Sequence, residues 1–352
     1  MTGYDAGMRA PPSGPPELEP STIVELCRRH YFEVVRAERL DGYQDATFRV
    51  ETADGGRYVF KAAAEEPDGV ALRFERRVLQ HLEGEGWSGV PRIERARDGR
   101  RVVRAEHASG PLALRVLSWL DGVPLADLAA APDDLLRELG GFLGRLDTAL
   151  ASLDLGEERR LEWDLARLDA QRPLAAWIEA ASDRRLAESA IDDYLTRRRA
   201  LLPRLRRGPI HNDANDHNVL VGPPQAAAGR RIGLIDFGDV VVTETVHELA
   251  VAMAYAGMGR RDPWSAALPV ALGYDAARRL SDAELELLPG AVRARLALSV
   301  SMAAARRHEG TADAYALVSE RAAWAALRRL GGLAPSVALD ALREVSTRET
   351  PA

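Results

Sequence analysis

The chain has 352 residues, of which 46% are hydrophobic and 28% charged, and its 47 basic and 53 acidic residues give a net charge of −6. This length and apolar content predict one or two globular domains with a sizeable core, and the charge balance argues against a nucleic-acid binder. No apolar run reaches the roughly 18 residues of a membrane span, and no secretory signal is visible. The single cysteine, Cys27, excludes an internal disulfide and fits a reducing compartment, so we predict a cytoplasmic protein.

Taken in chain order, the sequence opens with a stretch that predicts little structure. Residues 1–20 contain five prolines and few apolar side chains, and we expect a disordered leader. A helix is predicted over residues 21–30, with Ser21 or Thr22 as its N-cap. Residues 53–56 predict a hairpin turn between two of the strands that follow. The predicted strands are Tyr31–Leu40, Thr47–Glu51, Arg57–Ala62, Arg101–Glu106 and Leu112–Leu120, with one helix at Val70–Glu83.

The second part of the chain is rich in alanine, leucine and arginine. Its long stretches predict helices, and residues 209–221 and 231–236 predict short strands and loops. The predicted helices are Pro132–Leu153, Leu174–Ala180, Ala187–Leu205, Val246–Met258 and Glu284–Arg307. A small β-rich N-terminal lobe over residues 21–118, followed by a larger helical C-terminal lobe over residues 119–352, is an α+β arrangement.

Two residue types are almost absent, and their positions are informative. Lys61 is the only lysine, and Asn212, Asn215 and Asn218 are the only asparagines. In a chain this rich in arginine, a lysine persists where a planar guanidinium cannot replace the compact ammonium group. We therefore interpret these positions as functional, with chance as the alternative.

The first candidate site is a strand that ends on this lysine. Residues 58–61 are predicted to be a strand, and Glu75 follows on the predicted helix. A strand lysine held by a helix glutamate places its ammonium group on nucleotide phosphates in kinase-like folds. Taken alone, Glu75 has the alternative of being a solvated helix residue.

The second candidate site is the stretch 210–220, which reads IHNDANDHNVL and fits the pattern H-x-D-x-x-x-x-N. In phosphoryl transfer, an aspartate in the place of Asp213 aligns the acceptor hydroxyl and takes its proton, and an asparagine in the place of Asn218 binds magnesium. Magnesium prefers such hard oxygen ligands. The alternative is a polar turn rich in aspartate and asparagine, which the flanking apolar residues disfavour.

The third candidate site is the stretch 233–239, which reads GLIDFGD. An apolar strand delivers Asp236 at its end, immediately before Phe237 and Gly238. An aspartate in this place would be the main magnesium ligand. A strand-end aspartate before Phe-Gly is a moderate signal alone, but the three segments in this order favour a kinase.

Together these segments resemble the protein kinase-like superfamily, and more closely its small-molecule branch of aminoglycoside phosphotransferases and choline kinases. The resemblance spans about residues 22–345 and implies a bilobal fold. Unlike a protein kinase, the chain has no long activation segment and no Ala-Pro-Glu after Gly238. Within the branch it is most similar to hydroxylysine kinase and to the kinase domain fused to class III aminotransferases. The segments that carry this similarity are 210–221, 235–239, 248–256, Trp163–Leu165, Gly273–Tyr274, Arg295–Leu296, Tyr315 and Val318–Glu320.

The resemblance implies a nucleotide site and a magnesium site. Lys61, oriented by Glu75, would hold the α- and β-phosphates of ATP or GTP, and the nucleotide loop near residues 40–48 has Gly42 as its single glycine. The segment that connects the lobes would offer backbone groups to the base, with an ordinary core strand as the alternative. The residues assigned to that segment are Ser118, Trp119 and Leu120. The residues assigned to Mg²⁺ are Asn218 and Asp236.

The implied reaction is phosphorylation of a hydroxyl on a small amine or amino acid, with no nucleic-acid or membrane partner. Carboxylates near the acceptor would suit an amine, and the candidates are Asp216, Asp239, Glu244 and Glu248, each with surface charge as its alternative. Many relatives have a histidine where Asp147 stands. Two alternatives to a metabolite kinase remain: an antibiotic kinase, and a catalytically silent kinase-like binding module, which the competent residues at every catalytic position disfavour.

Overall fold

The computed structural model describes residues 15–40, 42, 45–64, 69–108, 110–156, 158–222, 232–311 and 319–348. The chain divides into two compact units, one comprising Met1–Glu83 and Val90–Leu120, the other Gly84–Gly89 and Asp121–Ala352. We call them unit 1 and unit 2. The observed boundary lies two residues beyond the predicted one, and the segment Gly84–Gly89, predicted within the N-terminal lobe, belongs to unit 2. Residues 1–14 of the predicted leader lie outside the described residues, whereas Leu18 is buried in the core of unit 1.

Unit 1 is built on an antiparallel sheet with the strand order β1-β2-β3-β5-β4. Its elements are α1 (Pro20–His30), β1 (Arg36–Leu40), β2 (Ala46–Glu51), β3 (Arg57–Ala64), α2 (Val70–Gly84), β4 (Val103–Ala105) and β5 (Leu112–Ser118). The central strands alternate apolar residues toward the core, and Phe48, Phe60 and Val116 are fully buried there together with Ile23 of α1. Burial of these large side chains is the main stabilising contribution in unit 1.

Two predicted details of unit 1 are wrong. Helix α1 begins at Pro20 with Glu19 as its N-cap, and no side chain caps it, so neither Ser21 nor Thr22 does so. Proline at the first helical position replaces the cap, because its missing N–H needs no partner. The predicted strand from Tyr31 starts only at Arg36, because Tyr31 turns inward and its hydroxyl donates to the Leu114 carbonyl at 2.9 Å.

Unit 2 is mainly helical, with two small sheets of order β6-β8-β9 and β10-β7. Its first elements are β6 (Val123–Pro124), α3 (Asp133–Leu150), α4 (Leu168–Gln171), α5 (Ala181–Leu201), β7 (Arg207–Ile210), β8 (Val219–Val221), β9 (Ile232–Leu234) and β10 (Val241–Glu244). The remaining helices are α6 (Val246–Gly257), α7 (Pro263–Ala277), α8 (Asp282–Glu309), α9 (Glu320–Gly331) and α10 (Pro335–Arg348). Helix α8 has the length and apolar content of a membrane span, but 83% of that apolar window is buried inside the protein.

Helix α7 was not predicted, and the reason lies in its composition. Apolar residues surround most of α7, and Pro269 and Gly273 lie inside it, so it lacks the amphipathic period that identifies a surface helix. Helices α9 and α10 were also missed. The predicted helix over residues 174–180 is a 3₁₀ segment over Arg172–Trp177 instead.

Two glycines allow α3 and α7 to cross at very short range. A Cβ at Gly140 would overlap the Val270 carbonyl, and a Cβ at Gly273 would overlap the Arg137 carbonyl. Both obstacles are backbone atoms, which a rotamer change cannot move. The crossing fixes the position of Asp147 on α3, because Tyr274 follows Gly273 on α7 and its hydroxyl donates to the Asp147 carboxylate at 2.5 Å.

We expect Gly273→Ala to lower the free energy of unfolding by about 2–3 kcal/mol, the range of overpacked cores. Gly290→Ala on α8 is the matched control, since the nearest atom to its added Cβ is 3.9 Å away. Because alanine is the better helix former, Gly290→Ala should stabilise by up to about 1 kcal/mol. Urea denaturation of both variants measures the difference, and equal effects would contradict the close-approach argument.

Candidate active site

In unit 1, Lys61 belongs to a buried cluster of four charges. Lys61 on β3 lies directly opposite Arg115 on β5, and its ammonium is 3.6 Å from a carboxylate oxygen of Asp45. Arg115 contacts the same Asp45 oxygen through Nη2 at 2.6 Å and Glu75 Oε2 through Nε at 2.6 Å. The cluster therefore balances two cations against two carboxylates, which is what keeps charges this deeply buried.

The sequence identified Lys61 and Glu75 but missed Asp45 and Arg115. The described contacts join Glu75 to Arg115 and Lys61 to Asp45, and orientation of Lys61 by Glu75 stays a prediction. A signal for Arg115 was present, because it is the one charge in the otherwise apolar strand LALRVLS. A charge inside a fully buried strand needs a partner, and Glu75 provides it.

The other predicted nucleotide-binding residues of unit 1 lie in a loop and at a strand end. A Cβ at Gly42 would approach the Asp45 carbonyl to 2.6 Å, so the turn before β2 requires a glycine there. The Ser118 amide donates to the Arg92 carbonyl at 2.8 Å, and that amide is therefore already used within unit 1. Trp119 and Leu120 follow β5 and are half-buried. Their role toward a base stays a prediction.

In unit 2, three side-chain hydrogen bonds hold Asp213, which lies in the loop between β7 and β8. Arg295 Nη2 donates to Asp213 Oδ1 at 3.1 Å, and Asn215 Nδ2 and Asn218 Nδ2 donate to Oδ2 at 3.0 and 2.8 Å. A carboxylate can accept about four hydrogen bonds, so capacity for one more donor remains. The Asp213 side chain is 23% exposed, which leaves room for that donor to come from a bound molecule.

The electrostatic surroundings of Asp213 favour a proton acceptor that works near neutral pH. Burial raises the pKa of Asp213 to about 7, and the nearby carboxylates of Asp239 and Asp236 act in the same direction, while Arg295 and Asn215 oppose the rise. A general base is most effective when its pKa lies near the working pH. These surroundings suit the general-base role predicted for Asp213, and that role stays a prediction.

His211 joins the Asp213 loop to the segment that carries Asp236. Its Nδ1 accepts from the Asp213 amide at 3.2 Å, so Nε2 carries the proton and donates to the Ile235 carbonyl at 3.0 Å. The ring also meets Phe237 edge-on at 4.7 Å. Asp236 itself adopts a left-handed backbone, φ 64°, which is uncommon outside glycine and concentrates at functional sites.

Asn218 and Asp236 suit a magnesium ion by the chemistry of their donor atoms. The Asn218 Nδ2 group is committed to Asp213, so the amide oxygen is the atom left to face a cation. The Ile235 amide donates to the Asn218 carbonyl at 3.0 Å, so Asn218 and Asp236 lie at the same end of the paired strands β8 and β9. Asp236 is exposed. A carboxylate and an amide oxygen are ligands that magnesium accepts, so the residues present fit this ion.

Glu248 on α6 binds the backbone of the loop that carries Asp213. Its Oε2 accepts from the Asn212 amide at 3.0 Å, and the side chain is fully buried. Glu244 is also fully buried and pairs with Arg198 at 2.7 Å. The two glutamates were interpreted as acceptor-binding or surface residues, and both interpretations are wrong, because neither side chain reaches solvent. Asp216 and Asp239 are half-buried, and their proposed role stays open to test.

Asp147 places a second buried carboxylate near Glu248. Burial raises the pKa of Asp147 well above its ordinary range, and the charge of Glu248 adds to the rise, while the Tyr274 hydroxyl opposes it. Burial likewise raises the pKa of Glu248 to about 7. Two carboxylates at close range do not both ionise readily, so the folded protein retains a proton here at pH values where the unfolded chain has released it.

The retained proton gives a pH dependence of stability with a defined sign. Since the folded state binds more protons than the unfolded state, stability falls as pH rises from about 4.5 toward 7. Asp147→Asn keeps an acceptor for Tyr274 and removes one charge, so we expect a gain of about 2 kcal/mol at pH 8 and little change at pH 4.5. Urea denaturation at the two pH values measures the free energy of unfolding. An equal effect of the substitution at both pH values would contradict the retained proton.

Two arginines that contact the site were not given roles from sequence. Arg295 on α8 binds Asp213, and its Nη1 donates to the Trp163 carbonyl at 3.1 Å. Arg159 donates to the Gly238 and Val240 carbonyls and so fastens the segment after Asp236. Arg295 had a sequence signal, since it interrupts an apolar stretch of α8, whereas Arg159 lies in a polar loop with no distinguishing pattern.

An aspartate fixed by three donors, an asparagine five positions later and a strand-end aspartate joined to them by His211 are the arrangement expected in a kinase-like phosphotransferase. Residues 36–287 match the phosphotransferase enzyme family known as APH. The chain belongs to this family, and it is a small-molecule kinase.

Three known proteins illustrate the similarity. Hydroxylysine kinase of Danio rerio is 23% identical over 299 residues, which cover 82% of this chain and 84% of that protein. The structure of a microcompartment-associated aminopropanol kinase aligns with a TM-score of 0.66 at 21% identity, covering 94% of this chain and 100% of the other. An amicoumacin kinase solved with AMP-PNP, Ca²⁺ and Ami aligns with a TM-score of 0.61 at 16% identity, covering 89% and 88%. The predicted bilobal kinase-like α+β fold is confirmed.

Proposed function

We propose that the protein transfers the γ-phosphoryl group of ATP or GTP to a hydroxyl of a small amine-bearing metabolite, with Mg²⁺ as the cofactor. The observation that carries the proposal is the Asp213 carboxylate, which three donors hold in place and which has one hydrogen-bonding position left. We propose further that the enzyme is cytoplasmic and has no nucleic-acid or membrane partner, which the net charge of −6 supports.

The nucleotide phosphates would be held by Lys61. Its present partner, Asp45, is shared with Arg115, so Asp45 keeps a cation when the ammonium group turns to a phosphate. Glu75 is bound to Arg115 and would orient Lys61 as part of the same cluster. Gly42, Trp119 and Leu120 would contact the rest of the nucleotide through their backbone atoms.

The metal would be held by Asn218 and Asp236. When bound there, Mg²⁺ supplies neutralisation of the charge on the transferred group. His211 contributes indirectly, because its two ring nitrogens fix the Asp213 loop and the Ile235 carbonyl relative to one another. Arg159 holds the segment that follows Asp236.

Asp213 would align the acceptor hydroxyl and take its proton as the bond to phosphorus forms. Arg295, Asn215 and Asn218 fix the carboxylate before substrate arrives. Since phosphoryl transfer proceeds through a loose transition state, most of the rate comes from such positioning and from charge neutralisation.

The acceptor class is supported by the relatives. One is described as a hydroxylysine kinase and another as an aminopropanol kinase, and both names contain a small molecule with an amine and a hydroxyl. Of the four carboxylates considered for the ammonium group, Asp216 and Asp239 are half-buried, whereas Glu244 and Glu248 are enclosed, so we assign the ammonium group to Asp216 or Asp239.

Lys61→Arg tests why the chain retains one lysine. The guanidinium preserves the charge beside Asp45, so folding should be unchanged, but it does not reproduce a compact ammonium placed on phosphates. We expect kcat/KM for the nucleotide to fall about 10- to 100-fold, the equivalent of about 1.4–2.7 kcal/mol of transition-state binding. Initial rates at varied nucleotide concentration measure this, and a variant as active as wild type would remove the special role of the lysine.

The experiment that tests the proposed function is nucleoside diphosphate release with ATP and with GTP across hydroxylated amino acids, amino alcohols and aminoglycosides. Release that depends on a hydroxylated amino acid or amino alcohol supports the proposal. Release with aminoglycosides alone would identify an antibiotic kinase instead. Nucleotide binding without release for any acceptor would favour a silent binding module.

A further inference from the structure

Two arginines of helix α8 lie over the ring of Trp163, close to the loop that holds Asp213. The Arg295 guanidinium carbon lies 4.8 Å from the centre of the Trp163 ring, and that of Arg306 lies 5.7 Å from the same centre. Arg295 and Arg306 are eleven positions apart on α8, which is three turns and returns both side chains to one face of the helix. Asp213 therefore contacts Arg295, Arg295 contacts Trp163, and Trp163 contacts Arg306.

The tryptophan is held rigidly. Its carbonyl accepts from Arg295 Nη1 at 3.1 Å, and the next residue, Asp164, is buried and accepts from the Thr243 hydroxyl at 2.9 Å and the Ala166 amide at 2.9 Å. Arg295 is buried, and its guanidinium carbon also lies 5.9 Å from the centre of the Tyr255 ring. Trp163 and Arg306 are only half-buried. Of these residues, the Trp163 ring and the Arg306 guanidinium are therefore the groups that a small molecule could reach.

We propose that Trp163 and Arg306 form a subsite for a carboxylate of the acceptor, so that the substrates are hydroxylated amino acids rather than amino alcohols or aminoglycosides. This inference rests on the proposed function, because it assigns the acceptor of the same site. Arg295 is a positioning residue here, since its Nη1 and Nη2 groups bind the Trp163 carbonyl and Asp213.

The charge distribution around Asp213 supports a zwitterionic acceptor. The guanidinium groups of Arg295 and Arg306 lie over the Trp163 ring, and the charge of Asp239 acts on Asp213. A guanidinium group pairs with a carboxylate through parallel hydrogen bonds, and the charge of Arg306 would repel a polycation. An α-amino acid with a side-chain hydroxyl has one carboxylate that could pair with Arg306 and one ammonium group that could pair with Asp239.

The test compares acceptors that differ only in the carboxylate. Threonine pairs with 1-amino-2-propanol, homoserine with 3-amino-1-propanol, and hydroxylysine with 1,5-diaminopentan-2-ol. For the pair that is turned over best, we expect wild-type kcat/KM for the amino acid to exceed that for the decarboxylated partner by about 10-fold or more, the size of one charge-assisted hydrogen bond. A preference for the decarboxylated partner would overturn the subsite.

Arg306→Ala should raise KM for the amino acid about 10-fold with little change in kcat, and should leave the decarboxylated partner unaffected. The backbone of Arg306 still caps α8, since its carbonyl accepts from the Thr311 amide. Arg307→Ala is the matched control, because Arg307 belongs to the same turn and pairs with Glu320. An equal loss for both acceptors in Arg306→Ala, or no loss for either, would contradict the inference.

Binding calorimetry with AMP-PNP, Mg²⁺ and each acceptor separates failure of the subsite from failure of the proposed function. Carboxylate-dependent binding that Arg306→Ala removes would uphold the subsite even in the absence of turnover, and the kinase proposal alone would then be wrong. Binding that ignores the carboxylate, or the absence of acceptor binding, would overturn the subsite whatever the turnover.

Discussion

Replacing Asp213 by alanine is expected to lower kcat about 1,000-fold, the usual contribution of a general base together with its positioning. The variant loses the group that takes the hydroxyl proton and the acceptor of three hydrogen bonds. Nucleotide affinity in the presence of Mg²⁺ should change little, because Lys61 and Asp236 are untouched and Asn218 still donates to the backbone carbonyl of residue 213. Single-turnover assays and nucleotide titration measure the two quantities separately.

Asp192→Ala is the matched control for Asp213→Ala. Asp192 is an aspartate of unit 2 that is 49% exposed and pairs with Arg172 on the surface, and surface pairs contribute little to stability. We expect this control to retain wild-type kcat. Full activity in Asp213→Ala would contradict the assignment of Asp213 as the base. A loss of nucleotide binding in that variant would indicate a structural role for Asp213 instead.

Replacing Asp236 by asparagine is expected to lower kcat by a similar factor, but also to change how nucleotide binding depends on Mg²⁺. The amide keeps the shape of the side chain and lacks the charge that a divalent cation requires. We expect kcat to fall about 1,000-fold, together with loss of the Mg²⁺ dependence of nucleotide binding. The two variants are thus distinguishable, since Asp213→Ala keeps that dependence.

Asp262→Asn provides the comparison for Asp236→Asn. Asp262 caps α7 by accepting from the Ser265 amide at 3.1 Å, and asparagine caps helices about as well as aspartate. Its activity and magnesium dependence should match wild type. Magnesium-dependent nucleotide binding that survives unchanged in Asp236→Asn would refute the assignment of Asp236 as a metal ligand.

The sequence predicted the strands of unit 1 well, because their apolar alternation and the Ala53–Gly56 turn are local signals. It predicted α7 poorly, because tight packing against α3 replaces amphipathic pattern with small and apolar residues on all sides. The sequence analysis was also wrong about the start of α1, since Pro20 begins the helix without the side-chain cap that Ser21 was expected to provide. Tertiary packing, which a local pattern does not show, explains the failure at α7, whereas the error at α1 was local.

The candidate site divides in the same way. Asp213, Asn218 and Asp236 could be read from spacing, because contiguous loops present them. Arg295 and Arg115 act on groups distant in sequence, and their roles emerge only from the contacts that folding creates. Glu248 was misinterpreted for a related reason: at the start of an apparently ordinary helix, it looked accessible, yet packing encloses it beneath the Asn212 amide.

The most direct test of the central claim is ³¹P NMR of the products formed from ATP, Mg²⁺ and hydroxylysine, with Asp213→Ala alongside. The account predicts a new phosphate monoester resonance on the acceptor that grows with nucleoside diphosphate and is absent in the variant. Inorganic phosphate as the sole product, or a monoester that forms equally well in Asp213→Ala, would contradict it.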